Sequence, residues 1–215
     1  MGIYKNGGAN VPQGKTGNTV SYMLNGQMVS RSIGKVWHRT KRQRANEAKM
    51  KFVNQFLKPF KPVLNMGLKN SPRKQTQGVY NLAFAIHRAT ALTGEYPDLQ
   101  IDLTKVRLSV GSIPVPENAS VVQNGSVLDF RWNADMEAEL ADQDDQVMLV
   151  AYFPKSRKVI YDCAGAKRGA EFQQLPLTSF VDKTVAEVFV AFISGDRKDV
   201  SDTVYLGQVI LSLNK

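Results

Sequence analysis

From residue 99 to the end, short β-prone runs recur with turn residues between them, and no helical pattern intervenes. The runs cover 103–110, 119–123, 126–133, 146–153, 158–163, 170–175, 184–194 and 203–213. Asn124-Gly125, residues 154–157 and residues 195–198 supply the turns. Consecutive strands of this length, in a stretch of roughly 110 residues, predict two packed sheets. Trp132, near the end of one run, is the candidate core aromatic. Cys163 is the one cysteine, so an antibody-type disulfide is excluded. The expectation is an immunoglobulin- or fibronectin-III-like β-sandwich.

The first 98 residues have a different period. Residues 1–18 are rich in Gly, Asn and Lys and read as an arm or loop. Asn25-Gly26 then separates two β-prone runs, 19–24 and 27–32. That dipeptide is the strongest short hairpin signal, because a type I′ turn needs positive φ at both central residues. Thr40 and Gln43 have the spacing of a capping box, and Ala45, Ala48, Phe52, Phe56 and Leu57 follow at helical intervals. Lys58-Pro59 predicts the end of that helix. Pro59, Pro62 and Pro72 mark a connector with one helical turn near 63–68. A second helix fits 79–92, with Gly94 as its stop. The fold class is therefore α+β: residues 1–98 form a basic hairpin and two-helix region, and residues 99–215 form the sandwich domain.

Charge divides along the same line. Residues 1–100 hold 16 Lys and Arg against 3 acids, a net +13, whereas residues 101–215 carry a net −4. An excess of that size exceeds what solubility needs and points to an anionic partner. Its centre is Arg31, Lys35, Arg39, Lys41, Arg42 and Arg44, with Trp37 placed to stack on a base. These residues suit nucleic-acid phosphates or an acidic protein surface, and the bland alternative is a solvated helix face. In the back half, Asp135, Glu137, Glu139, Asp142, Asp144 and Asp145 make an acidic loop between two strands. A neighbouring copy's cationic lobe could dock there head to tail, giving a homo-oligomer.

Catalytic and metal signatures are weak. Residues 9–16 fit a loose Walker A pattern, but neither a preceding strand nor a following helix fits. The acidic loop lacks EF-hand spacing, so no metal is expected. His38 and His87 have no nucleophile at a recognisable motif, there is no G-x-S-x-G, and Cys163 reads as a small buried hydrophobe. A non-enzyme without cofactors is expected. No apolar run reaches membrane-spanning length, and the first residues do not resemble a signal peptide. That suggests a cytoplasmic protein, or one inside an assembled particle, with no membrane partner.

Several short stretches carry a family likeness. They are Gly14-Lys15-Thr16-Gly17-Asn18, Val29-Ser30-Arg31-Ser32, Phe52…Phe56-Leu57, Tyr96-Pro97…Ile101-Asp102…Val106, Leu108-Ser109-Val110-Gly111 and Tyr205-Leu206-Gly207. In these the chain resembles a family of uncharacterised Bacteroidetes proteins of about this length. The resemblance implies a bacterial or phage-related source and transfers no activity. The expected function is a structural, assembly or interaction protein whose cationic lobe meets an acidic partner or nucleic acid. The alternative is a cytoplasmic, sequence-nonspecific nucleic-acid-binding protein.

Overall fold

A computed structural model describes residues 13–35, 38–70, 78–135, 137–177 and 185–211. The chain divides into two compact units, Met1–Arg44 and Ala45–Lys215. The boundary expected at 98–99 thus falls inside the second unit.

The first unit holds a small antiparallel sheet of β1 (Gly14–Thr16), β2 (Thr19–Leu24) and β3 (Gln27–Ser32), in that order. Asn25 and Gly26 have φ of 49° and 80°, so the type I′ hairpin expected from Asn-Gly is present. The Gly14-Lys15-Thr16 stretch pairs with β2 as an edge strand, and residues 9–12 of the Walker-like stretch lie outside the described residues. In these three strands only Ser21 is buried.

Helix α1 (Lys41–Leu57) starts just before the division between the units. Its entry is the capping box read from the sequence. The Gln43 N–H donates to Thr40 Oγ1 at 3.2 Å, and the Thr40 N–H donates to Gln43 Oε1 at 2.9 Å. Pro59 does not end the helical path. It begins a 3₁₀ turn, Lys58–Phe60, and Pro62 begins α2 (Lys61–Gly67). Proline fits a first helical turn, where its missing N–H has no intrahelical partner to lose. Helix α3 (Val79–Thr90) follows, then a two-residue ladder of β4 (Leu92–Thr93) and β5 (Gln100–Ile101).

Seven strands complete the second unit. An outer sheet has the order β10 (Phe172–Pro176), β7 (Val127–Asn133), β6 (Glu117–Asn124). A central sheet has the order β12 (Val204–Ile210), β11 (Val185–Ile193), β8 (Gln146–Phe153), β9 (Lys158–Asp162). All these pairings are antiparallel. Side chains alternate along a strand, so β8 and β11 each present two faces. Val147, Leu149, Ala151, Val188, Val190 and Phe192 meet Leu128, Phe130, Trp132 and Leu175 of the outer sheet. Met148, Val150, Tyr152, Phe189, Ala191 and Ile193 meet Val53, Phe56, Leu57, Phe60 and Leu64 of the helices. The unit is three layers deep, helices on sheet on sheet, and the two central strands are buried on both sides.

The run at 103–110, expected as a strand, pairs with none. It opens as a 3₁₀ turn, Leu103–Lys105, capped by the Asp102 side chain, which accepts the Thr104 N–H at 3.1 Å. Beyond it the backbone bonds to side chains. The Arg107 N–H donates to His87 Nε2 at 3.2 Å, and the Leu108 and Ser109 N–H groups donate to Thr203 Oγ1 at 3.0 and 2.7 Å. Val106 and Leu108 are buried in the helix-side core. Alternation therefore marks a buried strap here, with its donors satisfied without a ladder.

His87 closes that strap. It is fully buried, and its Nδ1–H donates to the Ala83 carbonyl at 2.7 Å while Nε2 accepts from Arg107. Both contacts are met by the neutral ring. Burial lowers its pKa from the ordinary 6.5, outweighing the Ala83 bond, which raises it. The unfolded chain therefore binds this proton more readily than the folded one. Stability from His87 is whole above about pH 6.5 and is lost as pH falls from there through the lower folded-state value. Thermal unfolding scanned from about pH 8 to about pH 5 should show a falling Tm. A His87→Phe variant should lose this component, and an identical pH profile in the two proteins would contradict it.

Candidate interaction surfaces

The unit boundary sharpens the charge division. Residues 1–44 contain eight Lys and Arg and no Asp or Glu, whereas residues 45–215 contain twenty Lys and Arg against nineteen acids. Nearly all of the net +9 resides in the first unit. Arg31, Lys35, Arg39, Lys41, Arg42 and Arg44 all belong to it and all are exposed. Trp37 lies outside the described residues. Among those described, Arg31, Lys35, Lys41, Arg42 and Arg44 form no ion pair with an acid. No acid stands in the first turn of α1, so its cations meet the positive end of the helix dipole unrelieved. An anion placed there would offset both.

The hairpin adds an apolar end to this cationic unit. Tyr22, Met23, Leu24 and Met28 are 37%, 49%, 52% and 37% exposed, around the Asn25-Gly26 turn. Charge counting did not single them out; the signal was apolar residues on both sides of a hairpin turn, where polar ones are usual.

The acidic loop is less available than its sequence suggests. Asp145 does not belong to a docking surface: it is 1% exposed and its carboxylate is bound by Arg168, itself fully buried. Oδ2 accepts from Arg168 Nε at 3.1 Å and also from the Asp142 N–H at 3.1 Å. Asp144 is exposed but pairs with Lys167 at 2.6 Å. Asp142, Asp144 and Asp145 line a cavity of about 450 Å³ with Ile113, Leu140, Asp196 and Asp199. Asp135, Glu137 and Glu139 are not among the residues lining it. The 194–199 turn thus brings acids that the sequence reading did not group with the loop. Gly195 lets that turn approach, since a Cβ there would stand 3.2 Å from the Asp144 carbonyl. Hydrogen bonds from Lys198, then from Ser194, hold the Asp196 carboxyl down to about 2. Among the described residues, Asp142 and Asp199 have no ion pair, and no cluster has the composition and geometry to hold a metal ion.

A second polar group sits on the helix side of the central sheet. Glu187, 4% exposed, lies opposite Tyr152 and accepts from Tyr205 Oη at 2.5 Å and Gln208 Nε2 at 2.9 Å. Burial, then the Glu187 carboxylate, pushes the Tyr205 hydroxyl up to about 12. Cys163 is buried, and that burial pushes its thiol up to about 11, so it is a poor nucleophile. No described helix is long and apolar enough to cross a membrane.

The stretches that carry the family likeness take structural positions. Ser109 and Thr203 are joined through their hydroxyls at 2.9 Å. A Cβ on Gly111 would stand 2.0 Å from the Val200 carbonyl oxygen, so only glycine fits there. Gly207, at φ 100°, lies beside the irregularity where β12 meets Val188 and Phe189. Within the first unit, Val29-Ser30-Arg31-Ser32 is most of β3.

No curated protein matches the chain. The model of a family of unknown function, DUF6266, matches residues 8–207, which include the hairpin, the helices and most of β12. The chain belongs to that family.

Proposed function

We propose that this is a non-enzymatic interaction or assembly protein in which residues 1–44 form a cationic contact module on a β-rich scaffold. The observation that carries this is a 44-residue unit with eight cations and no acid, beside a body of nearly balanced charge. Solubility does not require such segregation, and a partner bearing dense negative charge does. The partner is a nucleic acid or an acidic protein surface. A neighbouring copy, met at Asp142 and Asp199, is the form that partner takes in a homo-oligomer or a particle, bacterial or phage-encoded. An assembled particle or the cytoplasm is the setting that suits it.

The scaffold reads most closely as a fibronectin-III-like sandwich. Of its seven strands, the first, second and fifth make one sheet and the third, fourth, sixth and seventh the other. The helices then take the place of solvent on the four-stranded sheet. Such scaffolds present loops and appendages and need no catalytic centre.

Retention on heparin tests the module. The Arg42→Glu/Arg44→Glu protein should elute at clearly lower salt than the unaltered chain, with an unchanged melting temperature, because both side chains are exposed. Equal elution would remove the basis of this reading.

A further inference from the structure

We propose that the β2–β3 hairpin enters a groove of duplex DNA and drives the apolar side chains flanking its turn between base steps, with Lys15 and Arg31 on the flanking phosphates. This rests on the polyanion reading above and names its partner.

The strand pairing supplies the geometry. Lys15 and Arg31 both lie opposite Val20, one on each side of β2. Neighbouring strands are about 4.8 Å apart, so the two cations stand about 10 Å from one another on the same face of the ribbon. Nearer the turn than Ser21 only β2 and β3 are paired, a two-stranded ribbon of the kind that a DNA major groove about 12 Å wide admits, with the two cations at its rim. An A-form RNA major groove is too narrow and deep for the same entry. Further along, Met23 lies opposite Met28 and Leu24 opposite Gln27, on alternate faces. Leu24 is four residues beyond Val20, about 13 Å nearer the tip. Met23, Met28 and Leu24 are side chains of the kind that part base steps when inserted between them, and they lie beyond the cations along the ribbon.

Two observations favour this partner over others. The end of the hairpin is Asn25-Gly26-Gln27, whose carboxamides and open turn backbone would be stranded in hydrocarbon. In a groove those groups find base edges, which Asn and Gln read well. Pairing of this sheet with the same sheet of a second copy is opposed by charge, since neither brings an acid. The sheet also has almost nothing buried of its own, so a partner that covers it completes its packing.

The full-length protein, titrated into an end-labelled duplex of about 30 base pairs over a salt series, tests this. Binding should weaken steeply with salt, and energy transfer between the labelled ends should report a bend. Arg31→Ala should lower the salt slope by about one. Met23→Ser/Met28→Ser, both exposed positions, should bind about tenfold more weakly with the slope unchanged and the bend lost. A methionine variant that bends the duplex like the unaltered chain overturns the wedge. Absent duplex binding overturns the whole inference, and heparin retention then decides whether the polyanion reading stands without it. Tip-dependent capture by vesicles of equal phosphatidylcholine and phosphatidylserine, or tip-dependent oligomers in light scattering, without duplex binding, overturns it in favour of lipid or a second copy.

Discussion

Replacing Arg168 with methionine should lower the unfolding free energy by about 3–5 kcal/mol, because it leaves the buried Asp145 carboxylate without its cation. Arg168 spends every part of its guanidinium. Nε and Nη2 both reach Asp145 Oδ2 at 3.1 Å, Nη2 also donates to the Pro114 carbonyl at 3.0 Å, and Nη1 donates to the Ala134 carbonyl at 3.3 Å. The plane lies 4.0 Å over the Phe192 ring. Its own carbonyl accepts from the Trp132 indole at 2.8 Å. One side chain thus ties the entries to β6 and β8 to the end of β7 and to the central sheet. Arg168→Lys should lose a large share as well, since a single ammonium cannot make the fork. Arg168→Met combined with Asp145→Leu should be milder than either change alone, because no charge is then left unpaired. Urea unfolding of the unaltered chain, the three single variants and the double variant measures this. Single variants within about 0.5 kcal/mol of the unaltered chain would show that the pair contributes little.

Phe60→Ala should cost a similar amount, about 3–5 kcal/mol, although Phe60 sits in a 3₁₀ turn between two helices. Its ring is fully buried, with centroids 5.1 Å from Phe56, 5.0 Å from Tyr152 and 6.4 Å from Phe189. It is the point at which the helical layer is keyed to β8 and β11. The same packing predicts the fate of fragments. A chain of residues 99–215 uncovers Met148, Val150, Tyr152, Phe189, Ala191 and Ile193 together, an apolar face that should aggregate or bind a hydrophobic dye. A chain of residues 45–215 keeps that cover and should unfold in one cooperative step. A soluble, cooperatively folded 99–215 fragment would contradict this account of the layers.

Much of this architecture was legible because its signals are local. The Asn25-Gly26 turn, the Thr40 and Gln43 cap, and seven of the eight strand runs each follow from residues a few positions apart. Trp132 in the core was legible for the same reason. What failed to show is non-local. Residues 103–110 alternate like a strand, yet their donors are taken by His87 and Thr203, which lie far away in sequence. Asp145 looked like its acidic neighbours because nothing nearby announces Arg168. The division of the chain was placed at the change of period, where β4 and β5 in fact pair across it. Helical and strand periods describe local geometry and do not say whether the elements share a core. The cations were legible as composition, but their separation from every acid emerges only once the division falls after Arg44.

The two-sided burial of β8 and β11 has a consequence for how the sheet finds its alignment. A strand with one wet face is held in place by its pattern, since a slip of one residue would expose every apolar side chain. Gln146–Phe153 and Val185–Ile193 have no such protection: slide either by one place and apolar residues still fill both layers. What distinguishes the native alignment is a handful of polar anchors. Glu187 must meet Tyr205 and Gln208, and Ser201 Oγ must receive the Phe192 N–H at 2.8 Å. Arg168 must lie over Phe192. In the most hydrophobic part of this molecule, the few polar atoms decide which way each strand faces.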